Sequence, residues 1–280
     1  MRLLQIVKKD LFTIGIFLIM SFKVYAQSEN KNTFIPAIED NSMFIEEAYN
    51  QENKVVQHIS NFVFLPNLKD NFQYAFTQEW PAFGLDHQLS YTFQYISIGN
   101  EAEINGIGDL FINYRYQLSY KENFAACSPR LSIIIPTGNK NTGLGTGSWG
   151  MQVNIPVSKR WTNHFINHFN IGSTILFNLK KEEINYSKSQ INYFAGLSSI
   201  WLISEKFNLM LECITNIIAN PDYNNTDSYT NTTILAPAFR YAINIKKLQI
   251  VPGISIPFSI AKNSKTEVGG FFYLSFEHAY

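Results

Sequence analysis

The sequence predicts an all-β protein, a transmembrane antiparallel up-and-down β-barrel of about twelve strands with a short N-terminal helix. Three observations lead to this fold class. The chain begins like an exported protein, its strands alternate between an apolar and a polar face, and its connections alternate between short and long. Aromatic residues make up 15% of the chain, which suits the aromatic girdles of a barrel wall.

Residues 1–26 have the three parts of a secretory signal peptide. Basic residues precede an apolar run at positions 11–22, and a Val-Tyr-Ala cleavage sequence ends at Ala26. An apolar run of about twelve residues is too short to cross a bilayer as a helix. We therefore expect export through the inner membrane and a location in the bacterial outer membrane.

Residues 27–54 are mostly polar and precede the first predicted strand. Ser42 offers an N-cap, and Glu46 and Glu47 are early acidic residues in a weak helical period. The sequence predicts one short helix here. The segment is expected on the periplasmic side of the barrel or inside its lumen as a plug.

Residues 55–280 form the predicted barrel, because each strand alternates with a period of two. The last strand ends on aromatic Tyr280 and needs a partner on each side, which only a closed barrel provides to every strand. Pro237 and Pro252 fall within predicted strands, where a proline marks an edge or a bulge. The predicted strands are 55–65, 72–80, 88–95, 109–118, 125–135, 151–157, 164–177, 190–203, 207–218, 230–243, 248–258 and 269–280.

The connections separate a barrel from a soluble β-sandwich, whose edge strand could also resemble the last strand. Short connections such as 81–86 and 204–206 alternate with longer ones such as 136–148 and 178–189. Membrane barrels have short turns at the periplasmic end and longer loops outside. A sandwich has no reason to sort its loops in this way, so the sequence favours the barrel.

Composition excludes some functions. Lys and Arg total 22 and Asp and Glu total 22, so the net charge is zero and no nucleic-acid partner is expected. Cys127 and Cys213 lie in predicted strands without metal-like spacing, and they could form a disulfide or remain two free thiols. We expect no cofactor and no metal.

Four groups of residues have types or spacings found at sites of chemistry. The glycine-rich stretch 143–147 is followed by a strand, whereas a phosphate-binding loop needs a helix there, so we expect a flexible extracellular loop. A calcium loop at 222–227 lacks an acidic twelfth ligand, and a solvated loop is the simpler interpretation. His164 and His168 have metal-like spacing only on a helix, and they lie on a strand. Two Ser/His pairs, His58 with Ser60 and His87 with Ser90, could belong to a lipid hydrolase.

The predicted inner face of the barrel carries charges of both signs. These charges could form ion pairs that fill a narrow interior, or a polar constriction that selects solutes, and the two roles are compatible. The candidate lumen residues are Glu79, Asp109, Arg115, Arg130, Glu212, Arg240 and Glu277.

Four short motifs occur between residues 106 and 147: Gly106-Ile107-Gly108-Asp109-Leu110, Tyr114-Arg115-Tyr116, Pro136-Thr137-Gly138 and the glycine-rich stretch 143–147. Together they resemble one outer-membrane barrel family, labelled for the MetA pathway of phenol degradation or simply as a transporter. The resemblance runs from about Asn41 to Tyr280. It implies a bacterial outer-membrane barrel associated with uptake of small, often aromatic or apolar, compounds, and it assigns no site residues.

The expected function is passive or facilitated passage of a small solute, aromatic or apolar in character. One alternative is a non-transporting surface barrel that binds a partner, and another is a lipid-modifying enzyme of the outer membrane. We expect no enzyme activity. The expected partners are outer-membrane lipid, the solute, and the barrel-assembly machinery, which would engage the C-terminal strand.

Overall fold

A computed structural model describes most of the chain after residue 42. The described residues are 43–65, 71–99, 104–120, 124–181, 186–220, 228–262 and 264–279. The predicted signal peptide and residues 27–42 lie outside them. No helix in the described ranges is long and apolar enough to cross a bilayer.

Seventeen strand segments occur in the described part of the chain, all in one sheet. They are β1 Val55–Leu65, β2 Asn71–Pro81, β3 His87–Ile98, β4 Ile104–Ile107, β5 Leu110–Tyr116, β6 Ala126–Cys127, β7 Arg130–Ile135, β8 Gly150–Thr162, β9 Phe165–Lys181, β10 Tyr186–Leu202, β11 Phe207–Asn220, β12 Ser228–Tyr241, β13 Ile243–Ile245, β14 Leu248–Ser255, β15 Phe258–Ala261, β16 Glu267–Val268 and β17 Gly270–Ala279.

These segments form a closed barrel of twelve antiparallel strands, which confirms the predicted fold class. Five barrel strands are built from two consecutive segments each: β4 with β5, β6 with β7, β12 with β13, β14 with β15, and β16 with β17. Each barrel strand pairs with its neighbours in sequence, and β1 pairs with β17 to close the sheet. Val55 lies opposite Ala279, so both ends of the barrel sequence lie at one rim.

Side chains along the strands alternate between the lumen and the outside, as predicted. In β5, for example, Asn113 and Arg115 are buried, while Ile112, Tyr114 and Tyr116 are exposed. The same alternation places many large apolar side chains on the outer surface, among them Leu131, Ile133, Ile155, Ile171, Leu209 and Phe239. A continuous apolar outer band of this kind is what a bilayer covers.

Connections at the rim that holds Val55 are short, and we call this rim the short-turn end. Strands β8 and β9 are joined there by Asn163 and His164 alone, because β8 runs through Thr162 beyond its predicted end at Val157. At the opposite rim, the long-loop end, residues 136–149 join β7 to β8. The loops at 66–70, 182–185 and 221–227 lie outside the described residues.

The prolines in the predicted strands are accommodated differently. Pro252 pairs with Leu274 in a regular ladder. Pro237 interrupts the pairing of β12, which binds β15 on one side of it and β14 on the other. Its carbonyl accepts hydrogen bonds from the Ile256 N–H at 3.2 Å and the Ser255 Oγ at 2.9 Å, which marks a local irregularity in the wall.

The helix predicted across residues 42–50 does not form over its described part. Residues 43–50 have bends and irregular backbone, without helical hydrogen bonds. The physical reason is that side chains of the barrel wall accept hydrogen bonds from the backbone N–H groups of this segment. An isolated short helix would have to satisfy these N–H groups with its own carbonyls.

Candidate functional site: a segment held inside the lumen

Residues 43–51, which we call the lumen segment, cross the inside of the barrel before the chain enters β1. Met43, Ile45 and Ala48 are 6%, 2% and 0% exposed. The segment contacts β11, β9, β8 and β3 in turn, so it spans the lumen rather than following one wall. The segment therefore occupies part of the lumen.

From Phe44 to Asn50, every second backbone N–H of the lumen segment donates to a polar side chain of the wall. The wall therefore provides the acceptors that a neighbouring β-strand would otherwise provide. The four bonds are Phe44 to Glu212 Oε2 at 2.8 Å, Glu46 to Asn170 Oδ1 at 2.9 Å, Ala48 to Ser158 Oγ at 2.7 Å, and Asn50 to Gln117 Oε1 at 2.9 Å.

Two wall amides bind the lumen segment through both of their functional groups. The Asn170 side chain accepts from the Glu46 N–H, and its Nδ2 donates to the Glu46 carbonyl at 2.7 Å. Gln117 accepts from Asn50 and donates to the Ala48 carbonyl at 2.8 Å. An amide used in this way recognises backbone groups rather than a particular side chain.

Glycines in the wall make room for two side chains of the lumen segment. A Cβ atom at Gly196 would lie 2.3 Å from Ile45 Cδ1, and one at Gly253 would lie 2.8 Å from Met43 Cε. Both distances are far below van der Waals contact, so a larger residue at either position would force the Ile45 or Met43 side chain to move. The wall is thus shaped to fit this part of its own chain.

The charged centre of the site is Glu46 with Arg115 and Arg130, which we call the arginine pair. Arg130 donates from Nε to Glu46 Oε2 at 2.9 Å and from Nη2 to Oε1 at 2.6 Å, and Arg115 Nη2 donates to Oε2 at 3.1 Å. Burial alone raises the pKa of Glu46, but the charges and hydrogen bonds of Arg130 and Arg115 lower it overall to about 2.

Arg115 also holds the next part of the lumen segment. Its Nη1 lies 3.3 Å from the Glu47 carboxylate and donates to the Tyr49 carbonyl at 3.0 Å. Arg130 in turn donates to Asn113 at 3.0 Å and to Gln152 at 2.7 Å. Each arginine is therefore fixed by several contacts besides Glu46.

The structure brings only some of the seven candidate lumen residues together. Arg115 and Arg130 lie side by side on paired strands, and Glu79 lines the same cavity, held by Gln88 Nε2 at 2.9 Å. Glu212 instead accepts the N–H groups of Met43 and Phe44.

The remaining three candidate residues lie apart from this cluster. Asp109 holds the loop between β7 and β8, since it accepts the Gly138 N–H at 3.0 Å and the Thr146 N–H at 2.8 Å. Arg240 is 1% exposed and lies over the Tyr273 ring, 5.9 Å from its centroid. Glu277 is half-buried on β17, opposite Gln57 near the short-turn end.

A cavity of about 340 Å³ adjoins the lumen segment. At its last residue, Gln51, the lumen segment binds Gln88 on β3. The cavity is lined by Ser90, Thr92 and Gln94, which follow Gln88 along β3 towards the long-loop end. The cavity lining combines hydroxyl and amide side chains with the arginine pair and three carboxylates, and Phe44, Phe111 and Tyr273 add aromatic surface. The carboxylates are those of Glu46, Glu47 and Glu79.

The proposed hydrolase pairs are not assembled. Ser60 contacts Tyr74, and His58 Nε2 lies 3.3 Å from His278 Nε2. His87 contacts Tyr114, while Ser90 is bound by Asn113 inside the barrel.

A different Ser/His contact does form, between Ser158 Oγ and His168 Nδ1 at 2.6 Å. Both residues are almost completely buried, and Ser158 also accepts the Ala48 N–H, so this contact fixes the lumen segment.

Within the described residues, no three His, Cys, Asp or Glu side chains are grouped to hold a metal, and Cys127 and Cys213 are free thiols. The predicted loop at 222–227 lies outside the described residues.

Sequence reasoning did not identify Glu46, Glu47, Asn170, Gln117 or Ser158 as parts of one site. The available signal was the pair of glutamates just before the first strand, opposite two arginines on the predicted inner face. Matching those charges would have placed the segment in the lumen.

Comparison with solved structures places the fold among outer-membrane channels. The COG4313 outer membrane channel from Pseudomonas putida F1 has a TM-score of 0.64 at 12% identity, covering 83% of this chain and 98% of that chain. The NanC porin has a TM-score of 0.54 at 7% identity, covering 80% of this chain and 100% of that chain. Identities this low show the shared fold alone.

No protein-family model and no curated protein sequence matches the chain. The resemblance to the family labelled for phenol degradation therefore stays a prediction.

Proposed function

We propose that this protein is an outer-membrane channel for passive passage of a small solute, and that the lumen segment controls whether the channel is open. Two findings support this proposal. The barrel has the architecture of outer-membrane channels and porins, and its outer surface carries an apolar band suited to lipid.

The observation that carries the proposal is the lumen segment itself. Its contacts with the wall are hydrogen bonds, ion pairs and small apolar contacts, with no covalent link in the described residues. A non-covalent plug can leave the lumen when its docking free energy is overcome. We infer a closed state with residues 43–51 docked and an open state with them displaced.

We propose further that the solute is small and partly aromatic or apolar, and that the signal peptide directs the chain to the outer membrane. The cavity beside the lumen segment supports the solute size, and its aromatic residues support the apolar part. The C-terminal strand would be the segment that the barrel-assembly machinery engages.

Planar-bilayer conductance of an Ile45→Asp variant tests this function. A carboxylate would be buried where the apolar Ile45 side chain now packs beside Gly196, and undocking of the lumen segment should raise the open fraction at least about tenfold. Asn53→Asp is the matched control, because Asn53 is exposed just beyond the segment. It should conduct like the parent.

Two conductance results would contradict this proposal. If neither the parent nor Ile45→Asp conducts, passage of solute is excluded and a non-transporting surface barrel becomes the better description. If both conduct equally, the barrel is a channel but the lumen segment does not control it.

A further inference from the structure

The contact between Arg130 and Glu46 has the geometry with which proteins bind free carboxylates. Arg130 directs two nitrogen atoms at the two oxygen atoms of Glu46, at 2.9 and 2.6 Å. This paired arrangement is the strongest and most directional contact between arginine and a carboxylate. Arg115 adds a third donor to the same carboxylate at 3.1 Å.

Glu46 and Glu47 both line the cavity, and Glu46 is the more exposed of the two. The side chain of Glu46 is 31% exposed, whereas that of Glu47 is 5% exposed. Glu46 and Arg130 both line the cavity of about 340 Å³, so a molecule in that cavity can reach the carboxylate and the guanidinium that holds it.

We propose that the arginine pair is a binding site for the carboxylate of a small aromatic acid, and that Glu46 occupies this site when no such acid is present. The inference rests on the proposed channel function, since it names the class of solute that would enter. The acid would come from the cavity, replace the Glu46 carboxylate on Arg130, and free the centre of the lumen segment.

The electrostatics of the site agree with this exchange. Replacing one carboxylate with another leaves the formal charge around the arginine pair unchanged, so the exchange needs no new counter-charge. The pKa of Glu46, lowered to about 2, shows that these arginines stabilise an ionised carboxylate at this position.

The cavity also suits the rest of an aromatic acid. Phe44, Phe111 and Tyr273 line it together with hydroxyl and amide groups. A ring can lie against the aromatic side chains while its carboxylate points towards Arg130. A cavity of this volume is within the range of about 300–1,000 Å³ common for small-ligand sites.

Equilibrium dialysis of labelled benzoate at pH 7 against the refolded barrel tests the site. In Glu46→Gln the internal competitor loses its charge, so benzoate should bind at least about tenfold more tightly than to the parent. Glu52→Gln is the matched control, because it removes an exposed carboxylate directly after Gln51, the last residue of the lumen segment, and should bind like the parent.

Variants of Arg130 identify the guanidinium as the ligand-binding group. Adding Arg130→Gln to Glu46→Gln should remove the gain, and Arg130→Lys should restore only part of it, because lysine keeps the charge and loses the paired geometry. Heat-modifiable migration in gels confirms that each barrel is folded. Benzamide, which lacks the charge, should compete poorly.

Two results would overturn the inference. One is Glu46→Gln binding benzoate no better than the parent, and the other is benzamide competing as well as unlabelled benzoate. Dialysis requires no transport, so a barrel that fails the conductance test can still bind benzoate, and a conducting barrel can fail to bind it.

Discussion

Acidification should open the barrel through Glu46, and the size of the effect follows from its contacts. The pKa of this carboxyl is lowered from 4.5 to about 2 when the arginine pair holds it. Because docking lowers this pKa, the ion pairs of Glu46 contribute fully to docking above pH 4.5, the ordinary pKa of the carboxyl. That contribution is lost as the pH falls towards 2, because the undocked carboxyl binds a proton first.

The expected magnitude comes from this linkage. Between pH 4.5 and 2, docking should weaken by up to about tenfold for each pH unit, since undocking is coupled to uptake of one proton. Solvent reaches 31% of the Glu46 side chain and screens part of the attraction. We therefore expect the open fraction to rise about three- to tenfold between pH 7 and pH 3.5.

The assay is planar-bilayer conductance at constant salt from pH 7 to pH 3, with Glu46→Gln as the matched control. Glutamine cannot be protonated in this range, so the variant should conduct more at pH 7 and respond less to acid. Other carboxylates of the site are present in both proteins, and the difference between the two pH curves isolates Glu46. Parallel pH curves for the parent and the variant would refute the proposed role of this ion pair.

Three further outcomes are expected. A cysteine at Asn139 should be labelled by a membrane-impermeant reagent on intact cells and one at Lys206 should not, and the reverse pattern would invert the topology. Leu211→Arg should lower the free energy of unfolding by about 2–4 kcal/mol if it lies near the bilayer midplane, whereas Leu85→Arg, in an exposed turn, should cost less than about 1 kcal/mol by denaturant titration in lipid vesicles. Replacing both members of the arginine pair with glutamine should shift the reversal potential of the open channel towards cations, and an unchanged reversal potential would show that these charges do not set selectivity.

The barrel was predictable from the sequence because its determinants are local. Alternation such as Ile112, Asn113, Tyr114 and Arg115 assigns each side chain to one of two faces, whichever strand lies next to it. The order of neighbours followed as well, since short turns join consecutive strands of an antiparallel sheet. Exact strand ends were harder, and β8 continues five residues beyond its predicted end at Val157 because pairing with β9 persists to Thr162.

The lumen segment could not be derived in the same way. Local sequence around Ser42 and Glu46 favours a helix. The irregular backbone is stabilised instead by the wall residues Asn170, Ser158 and Gln117, which are distant in sequence. Sequence alternation by itself determined that Arg115 and Arg130 point inward. Their partner Glu46 was decided by the tertiary structure, because closing the barrel brings a charge from before the first strand against strands β5 and β7, and that pairing depends on distance in space rather than on spacing along the chain.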